Sequence, residues 1–325
     1  MRNAVKRVYP DSVGTSGGKK LISLCLVFGL VVLAVGSCLA GSKDVGTTGM
    51  QFLKIAPGAR ANGMGGVYAG VADDVDALYF NPAGLCQIKN LEATFMHLEY
   101  FQGIRYEYLA WGKSIPKVGS LGLGVTLLTV GKDIERRETA TPDPIDKFGA
   151  SDIAVSLAYG REVIKGLSTG LGLKYLSSKI DDKTASGIAA DLGVLYKTPI
   201  KLDVGVSVQN LGAITKAFIS EKDKLPVNVK LGLAYRLLQD NLTLGLDTNI
   251  PLDNDVNVAL GAEYKLRFAR DFAAAFRAGY RTGFDIGSGL GVGAGFAFKG
   301  YALDFAWVPY EELGNSYRIS LLAKF

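Results

Sequence analysis

The sequence predicts an all-β protein, a 14-stranded antiparallel transmembrane β-barrel around an amino-terminal luminal hatch. Three observations carry that expectation. From residue 91 to residue 325 apolar side chains recur at every second position in fourteen segments of about ten residues, the period of a strand with unlike faces and the length at which a tilted strand crosses a bilayer. The connections after even-numbered segments are short, whereas two after odd-numbered segments, residues 131–150 and 210–226, are long. Even-numbered segments also carry an aromatic near their ends, at Trp111, Tyr159, Tyr196, Tyr235, Tyr264, Phe296 and Phe325, as in the girdle that marks a membrane interface.

Residues 1–40 read as a secretory signal peptide. Lys19 and Lys20 precede the apolar run LISLCLVFGLVVLAVGSCLA, and small residues at Cys38 and Ala40 suit cleavage after Ala40. Two alternatives stay open: a run of this length also spans a bilayer, and Val35-Gly36-Ser37-Cys38 loosely resembles a lipoprotein cleavage site with Cys38 lipidated. Most of the formal charge of +5 belongs to this leader, where Arg2, Lys6, Arg7, Lys19 and Lys20 face a lone Asp11. No basic stripe remains for nucleic acid. Cleavage after Ala40 leaves Cys86 as the one mature cysteine, so no intramolecular disulfide is expected.

Residues 41–90 precede the strands and form the expected hatch. GTTGMQFLKIAPGARANGMGGVYAGVADDVDALYFNPAGL, residues 46–85, is rich in Gly and Ala and lacks sustained alternation, with a short helical piece expected near 67–78. Gly63, Gly65 and Gly66 do not complete a dinucleotide-binding GxGxxG, and no Walker A sequence follows. Asp73, Asp74 and Asp76 lack the spacing of a calcium loop and read as cap and turn residues. Asn81-Pro82-Ala83-Gly84 is a turn by its chemistry.

Residues 91–325 are the barrel. VNVALGAEYKL, residues 256–266, sets Val256, Val258, Leu260, Ala262, Tyr264 and Leu266 against Asn257, Ala259, Gly261, Glu263 and Lys265. The first two segments keep no single parity. With the apolar face toward lipid, the lumen carries Lys174, Asp191, Asp203, Lys230, Asp247, Arg277, Asp304 and Arg318, charges of both signs that make no ion filter. SGLGVGAGFAF places Gly289, Gly291, Gly293 and Gly295 on that same face, and glycine inside a strand marks a bend or a close backbone approach. The four are therefore expected to face the hatch. A soluble β-sandwich fits less well, because its strands average about five or six residues.

The stretch 46–85 closely resembles the amino-terminal signature of the PorV/PorQ proteins, a branch of the FadL-like outer-membrane barrels. That resemblance implies a bacterial outer-membrane location and a hatch folded into the lumen, with the signature's turn carried here by Asn81, Pro82 and Ala83. It implies two possible roles. One is an accessory of type IX-like protein secretion whose loops hold secreted or surface proteins; the other is passive passage of long-chain fatty acids or other hydrophobic solutes. On the second, an apolar pocket is expected between hatch and wall near Phe52, Leu53 and Ile55. No enzyme, metal or cofactor is expected: His97 is the only histidine, and no Ser/His/acid spacing accompanies it. The expected partners are outer-membrane lipid, the barrel assembly machinery and either loop-bound proteins or a luminal hydrophobic ligand.

SYRISLLAKF, residues 316–325, ends the chain in mid-pattern, and Phe325 reads as an assembly signal. Phe325→Asp is expected to lower the fraction of heat-modifiable, membrane-inserted protein several-fold; equal insertion of variant and wild type would refute the assignment.

Overall fold

The computed structural model describes residues 45–137, 144–269, 271–283 and 287–325. The leader with Cys38 and Ala40 lies outside them, as does Glu138 of the first long loop. Fourteen strands form one closed antiparallel barrel: β1 (Leu91–Glu99), β2 (Arg105–Ile115), β3 (Gly119–Arg136), β4 (Asp146–Ile164), β5 (Leu167–Ile180), β6 (Lys183–Lys197) and β7 (Leu202–Lys216), then β8 (Asn228–Leu237), β9 (Leu242–Pro251), β10 (Asn257–Ala269), β11 (Phe272–Arg281), β12 (Leu290–Phe298), β13 (Tyr301–Pro309) and β14 (Asn315–Lys324). Each strand pairs with its sequence neighbours, and β14 returns to β1 with Ile319 opposite His97. Phe325 continues that seam by donating its N–H to the Leu91 carbonyl, its ring near Tyr301.

Alternation produces the two faces of the wall. In β3, Leu121, Leu123 and Val125 stand exposed on the outside, while Gly122 and Gly124 turn inward against Leu78. The missing parity of β1 and β2 has a physical cause. Their inward side chains Met96, Leu98, Tyr106 and Tyr108 belong to an apolar cluster with Phe52, Leu53 and Leu78, while Phe95, Leu109 and Trp111 point out. Both faces are apolar because the inner one meets packed protein and the outer one belongs to the exposed apolar band of the barrel.

The two long loops are shorter than expected. β3 continues to Arg136, β4 begins at Asp146 and β7 runs to Lys216, so much of 131–150 and the start of 210–226 is strand. Beyond the apolar band both faces of a strand are wet, and the ladder persists after the alternation has gone. Asn210 bends β7 with a left-handed φ of 61°, and Leu211–Lys216 follows β6 across a shift in register.

Residues 46–90 fill the barrel. They start at the loop end, where Gly49 N–H donates to the Lys224 carbonyl, and reach the turn end, where Ser114 N–H donates to the Asn90 carbonyl. Between them backbone meets backbone. A Cβ on Gly63 would stand 3.0 Å from the Gly293 Cα, and one on Gly279 would overlap Met64. The four-glycine stripe divides on inspection. Gly291 and Gly293 touch the luminal segment at Asn62 and Gly63, whereas Gly295 makes room for Arg277 and Asp304. Gly289 lies before β12 in a left-handed turn (φ +71°) against the Arg281 carbonyl. The sequence pattern could not separate these roles, because all four share one parity.

Gly279→Leu is expected to undock the luminal segment, since overpacking costs about 1–3 kcal/mol even where neighbours adjust and backbone cannot. Limited proteolysis of the folded barrel should cleave within residues 46–90 in this variant. Gly172→Ala, whose Cβ would make contacts no closer than 3.4 Å, should stay resistant. Equal resistance of Gly279→Leu and wild type would contradict the close approach.

Candidate functional site

A buried ionic knot anchors the middle of the luminal segment. The guanidinium of Arg60, in the helical turn Ala59–Gly63, donates to Glu263 at 2.8 and 2.9 Å, to the Tyr68 hydroxyl at 3.0 Å and to Asp74 at 3.0 Å. Asp73 accepts from the same group. From the wall, Arg277 donates to Glu263 at 2.7 Å and to Asp304 at 2.6 Å. Buried charges persist only when paired and hydrogen-bonded, and here each carboxylate meets a guanidinium. Asp73 and Asp74 therefore anchor the segment through Arg60; Asp74 also accepts from the Asp76 N–H at 3.0 Å, closing a turn. Among the described residues no cluster of His, Cys, Asp and Glu has the arrangement of a metal site.

Two further side chains bind the segment through its backbone. Asp247 accepts from the Tyr68 and Ala69 N–H groups, both at 2.8 Å. Asn81 donates to the Ala69 and Val194 carbonyls at 3.0 Å each and accepts from the Ala83 N–H. Pro82 opens the 3-10 turn Pro82–Gln87, which lies so close to β5 and β6 that a Cβ on Gly170 would overlap Pro82 and Ala83. Gly84 is crowded by the Ala72 carbonyl. The Asn-Pro-Ala-Gly turn is thus a joint between segment and wall.

The loop end is built differently. A short 3-10 turn, Gln51–Lys54, follows Met50 in a left-handed conformation. Side chains tether it: the Tyr79 hydroxyl donates to the Leu53 carbonyl at 2.8 Å, the Tyr106 hydroxyl to the Ile55 carbonyl at 2.9 Å, and Lys54 pairs with Asp253 at 2.6 Å. Burial alone would raise the Asp253 carboxyl, but the Lys54 ammonium and the Thr48 hydroxyl outweigh it and hold it below its usual range.

Cavities of different character lie around this part of the chain. A cavity of about 320 Å³ lies against Met50, Ala185, Ile214 and Phe218 on one side and Ser178, Ser220, Glu221 and Asp223 on the other. At the turn itself, Phe52, Leu53, Leu78 and Tyr79 face Tyr106 and Tyr108 across a gap of about 10 Å³, room for one water. The apolar pocket expected near Phe52, Leu53 and Ile55 is thus lined by the first two and nearly closed, while Ile55 packs against the same cluster. Beside the turn, a polar cavity of about 190 Å³ reaches Lys54, Lys230 and Arg281. His97 stands elsewhere, its imidazole 2.8 Å from Glu107.

Sequence reasoning missed Arg60 and Glu263 as partners, the outer apolar cavity and the polar one. A lone arginine inside a Gly/Ala-rich stretch was the available signal for the knot.

The barrel is similar in fold to several solved structures. It matches the toluene transporter TbuX of Ralstonia pickettii with TM-score 0.58 and 13% identity, covering 83% of this chain and 98% of that one. The toluene transporter TodX of Pseudomonas putida matches with TM-score 0.55 and 12% identity over 82% and 96%. A FadL homologue of Pseudomonas aeruginosa matches with TM-score 0.53 and 10% identity over 82% and 97%. At these identities the likeness is one of fold. A family model described as "Uncharacterised protein family (UPF0164)" matches residues 29–265. No curated protein matches the sequence.

The Asp253 contribution has a definite sign. A carboxyl whose folded pKa is depressed stabilises the fold above its unfolded value, about 3.9, and loses that contribution as pH falls through the folded value. A spin label at Gln51→Cys, in a Cys86→Ser background, should stay immobilised from about pH 8 to 5 and loosen below about pH 4. Adding Lys54→Ala should loosen it throughout; equal mobility with and without Lys54 would show that the ion pair does not hold the turn.

Proposed function

We propose that this chain, which belongs to the uncharacterised protein family UPF0164, is a bacterial outer-membrane channel for small hydrophobic solutes. The observation that carries the reading is the cavity whose apolar side is Met50, Ile214 and Phe218, next along the chain to the tethered turn Gln51–Lys54, whose Phe52 and Leu53 line an aromatic pocket. A solute leaves water for the outer cavity, the turn swings aside, and the solute passes Phe52 and Leu53 into the lumen. The reading is supported by the fold shared with barrels described as toluene transporters.

The energetics suit passage. A single aromatic ring buries at most roughly 150 Å², worth up to about 4 kcal/mol at ~25 cal/mol per Å², which after the cost of association holds binding to a Kd no tighter than about 1 mM. Conduction needs binding favourable enough to enter and weak enough to leave. The secretion-accessory role implied by the PorV/PorQ resemblance has no comparable support. At the end of β3, Glu135 pairs with Arg137, and Arg136 with Asp146 and Asp181, as on an ordinary solvated surface.

The test is uptake of radiolabelled toluene at limiting concentration by cells displaying the protein. Ile214→Asp with Phe218→Asp should reduce uptake roughly tenfold, the loss of about 1.4 kcal/mol, while the folded barrel is retained on gels. Uptake equal to wild type in the double variant, or no uptake above empty cells for either, would refute the reading.

A further inference from the structure

Three tyrosines line the aromatic pocket at the turn, and two of their hydroxyls hold the turn itself. Tyr79 donates to the Leu53 carbonyl at 2.8 Å and Tyr106 to the Ile55 carbonyl at 2.9 Å. Tyr108, the next inward residue of β2, is 3% exposed, and its hydroxyl is buried without a hydrogen-bond partner. A tyrosine buried in an apolar cluster usually finds a partner for its hydroxyl, and an unmet one costs free energy. Its neighbours in the pocket do not answer it. Phe52, Leu53 and Leu78 carry no polar side-chain atom, Thr126 across the ladder is hydrogen-bonded to Tyr106, and Lys174 is engaged by Asn210 at 2.8 Å and Asp191 at 2.6 Å.

The gap beside these side chains, about 10 Å³, has room for one water and none for a ring. A solute ring therefore enters only where a side chain leaves. Of the residues that line the pocket, Phe52 and Leu53 belong to the turn Gln51–Lys54, so displacing the turn withdraws a phenyl group from the cluster that contains Tyr108. A hydrocarbon ring restores what Phe52 supplied. A ring that carries an oxygen restores it and also gives Tyr108 the partner it lacks.

We propose that Tyr108 sets the specificity of the channel, and that its preferred solutes are neutral aromatics bearing a hydroxyl, phenols and aromatic alcohols, over bare hydrocarbons. The inference rests on the channel reading and names its substrate class. A solute hydroxyl matches a tyrosine hydroxyl in either role, donor or acceptor. The solute is neutral because the ammonium that lines the pocket, Lys174, already has Asp191 as its counter-charge, and a buried carboxylate without one is strongly disfavoured. A site with a buried polar group discriminates against the analogue that leaves it unmet.

The test is uptake of radiolabelled p-cresol and toluene, each at limiting concentration, by cells displaying the full chain, counted above empty cells. The two solutes differ by one hydroxyl. Hydrophobic burial by itself ranks toluene first, because the hydroxyl of p-cresol must leave water. Through this channel p-cresol is expected to enter at least about fivefold faster, and Tyr108→Phe should lower the ratio of p-cresol to toluene uptake by at least about fivefold. The substitution removes one unpartnered oxygen. Folding is checked by heat-modifiable migration, and if the variant fails that check, the wild-type preference decides. Toluene uptake equal to or above that of p-cresol, or an unaltered ratio in folded Tyr108→Phe, is what a water on Tyr108 would give; either would overturn the inference and leave the channel reading standing. Uptake of neither solute would overturn both.

Discussion

The seam between β14 and β1 is the constraint from which the rest follows. An unpaired strand edge leaves N–H and C=O groups without partners, at several kcal/mol each wherever water does not reach them, and the last strand returns to the first. Here it does so along eight residue pairs, from Glu92 opposite Lys324 to Glu99 opposite Tyr317. Once the ladder closes, fourteen strands enclose an interior too wide for wall side chains alone to fill. The segment 46–90 fills it, and glycines at 63, 279 and 293 let backbone meet backbone. Such contact excludes water, and charges left in a dry lumen must be paired. The Arg60 knot, with Glu263, Asp304 and Arg277 around it, is thus a consequence of closure and filling.

Much of this was legible in the sequence, for a reason that also explains where legibility ended. A wall with lipid on one face and protein or water on the other repeats every two residues, so strand number, order and inward charges such as Asp191, Asp203 and Glu263 could be read directly. The signal failed wherever the two environments became alike. In β1 and β2 both faces are apolar, Met96 and Tyr108 inside and Phe95 and Leu109 outside. In the upper parts of β3, β4 and β7 both faces are wet, so strand persists there without the alternation that marks it. Shared parity likewise hid that Gly291 and Gly293 touch the segment while Gly295 accommodates an ion pair.

The candidate sites were less legible than the fold because barrel register, not sequence proximity, assembles them. Asn228, Asn249 and Asn257 each sit at a strand end, and only the pairings of β8 with β9 and of β9 with β10 bring them to one height. The outer apolar cavity depends on Met50 meeting Ile214 and Phe218, residues more than 160 positions away along the sequence. No local pattern encodes such a meeting. What the sequence did disclose was that Phe52 and Leu53, apolar residues outside any alternating run, needed a partner surface.

The attachments of the luminal segment differ in kind along its length, and that difference decides which part can move. From Arg60 to Asn81 it is held by backbone contact with glycines, by buried ion pairs and by Asp247 and Asn81 bonded to main-chain groups. Releasing any of these exposes charge or backbone in a dry space. From Thr48 to Ile55 the polar holds are a short bridge to Lys224, two tyrosine hydroxyls and the Lys54–Asp253 pair at the rim, beside the burial of Met50, Phe52 and Leu53 in the apolar cluster. Hydroxyl bonds to carbonyls are worth about 0.5–1.5 kcal/mol each, and a partly exposed ion pair contributes about 1 kcal/mol or less. Local opening draws on the weakest unit of a structure, and of the polar attachments of the luminal segment those of this turn are the weakest. On the proposed channel reading, passage displaces this one turn while the knot at Arg60 stays closed.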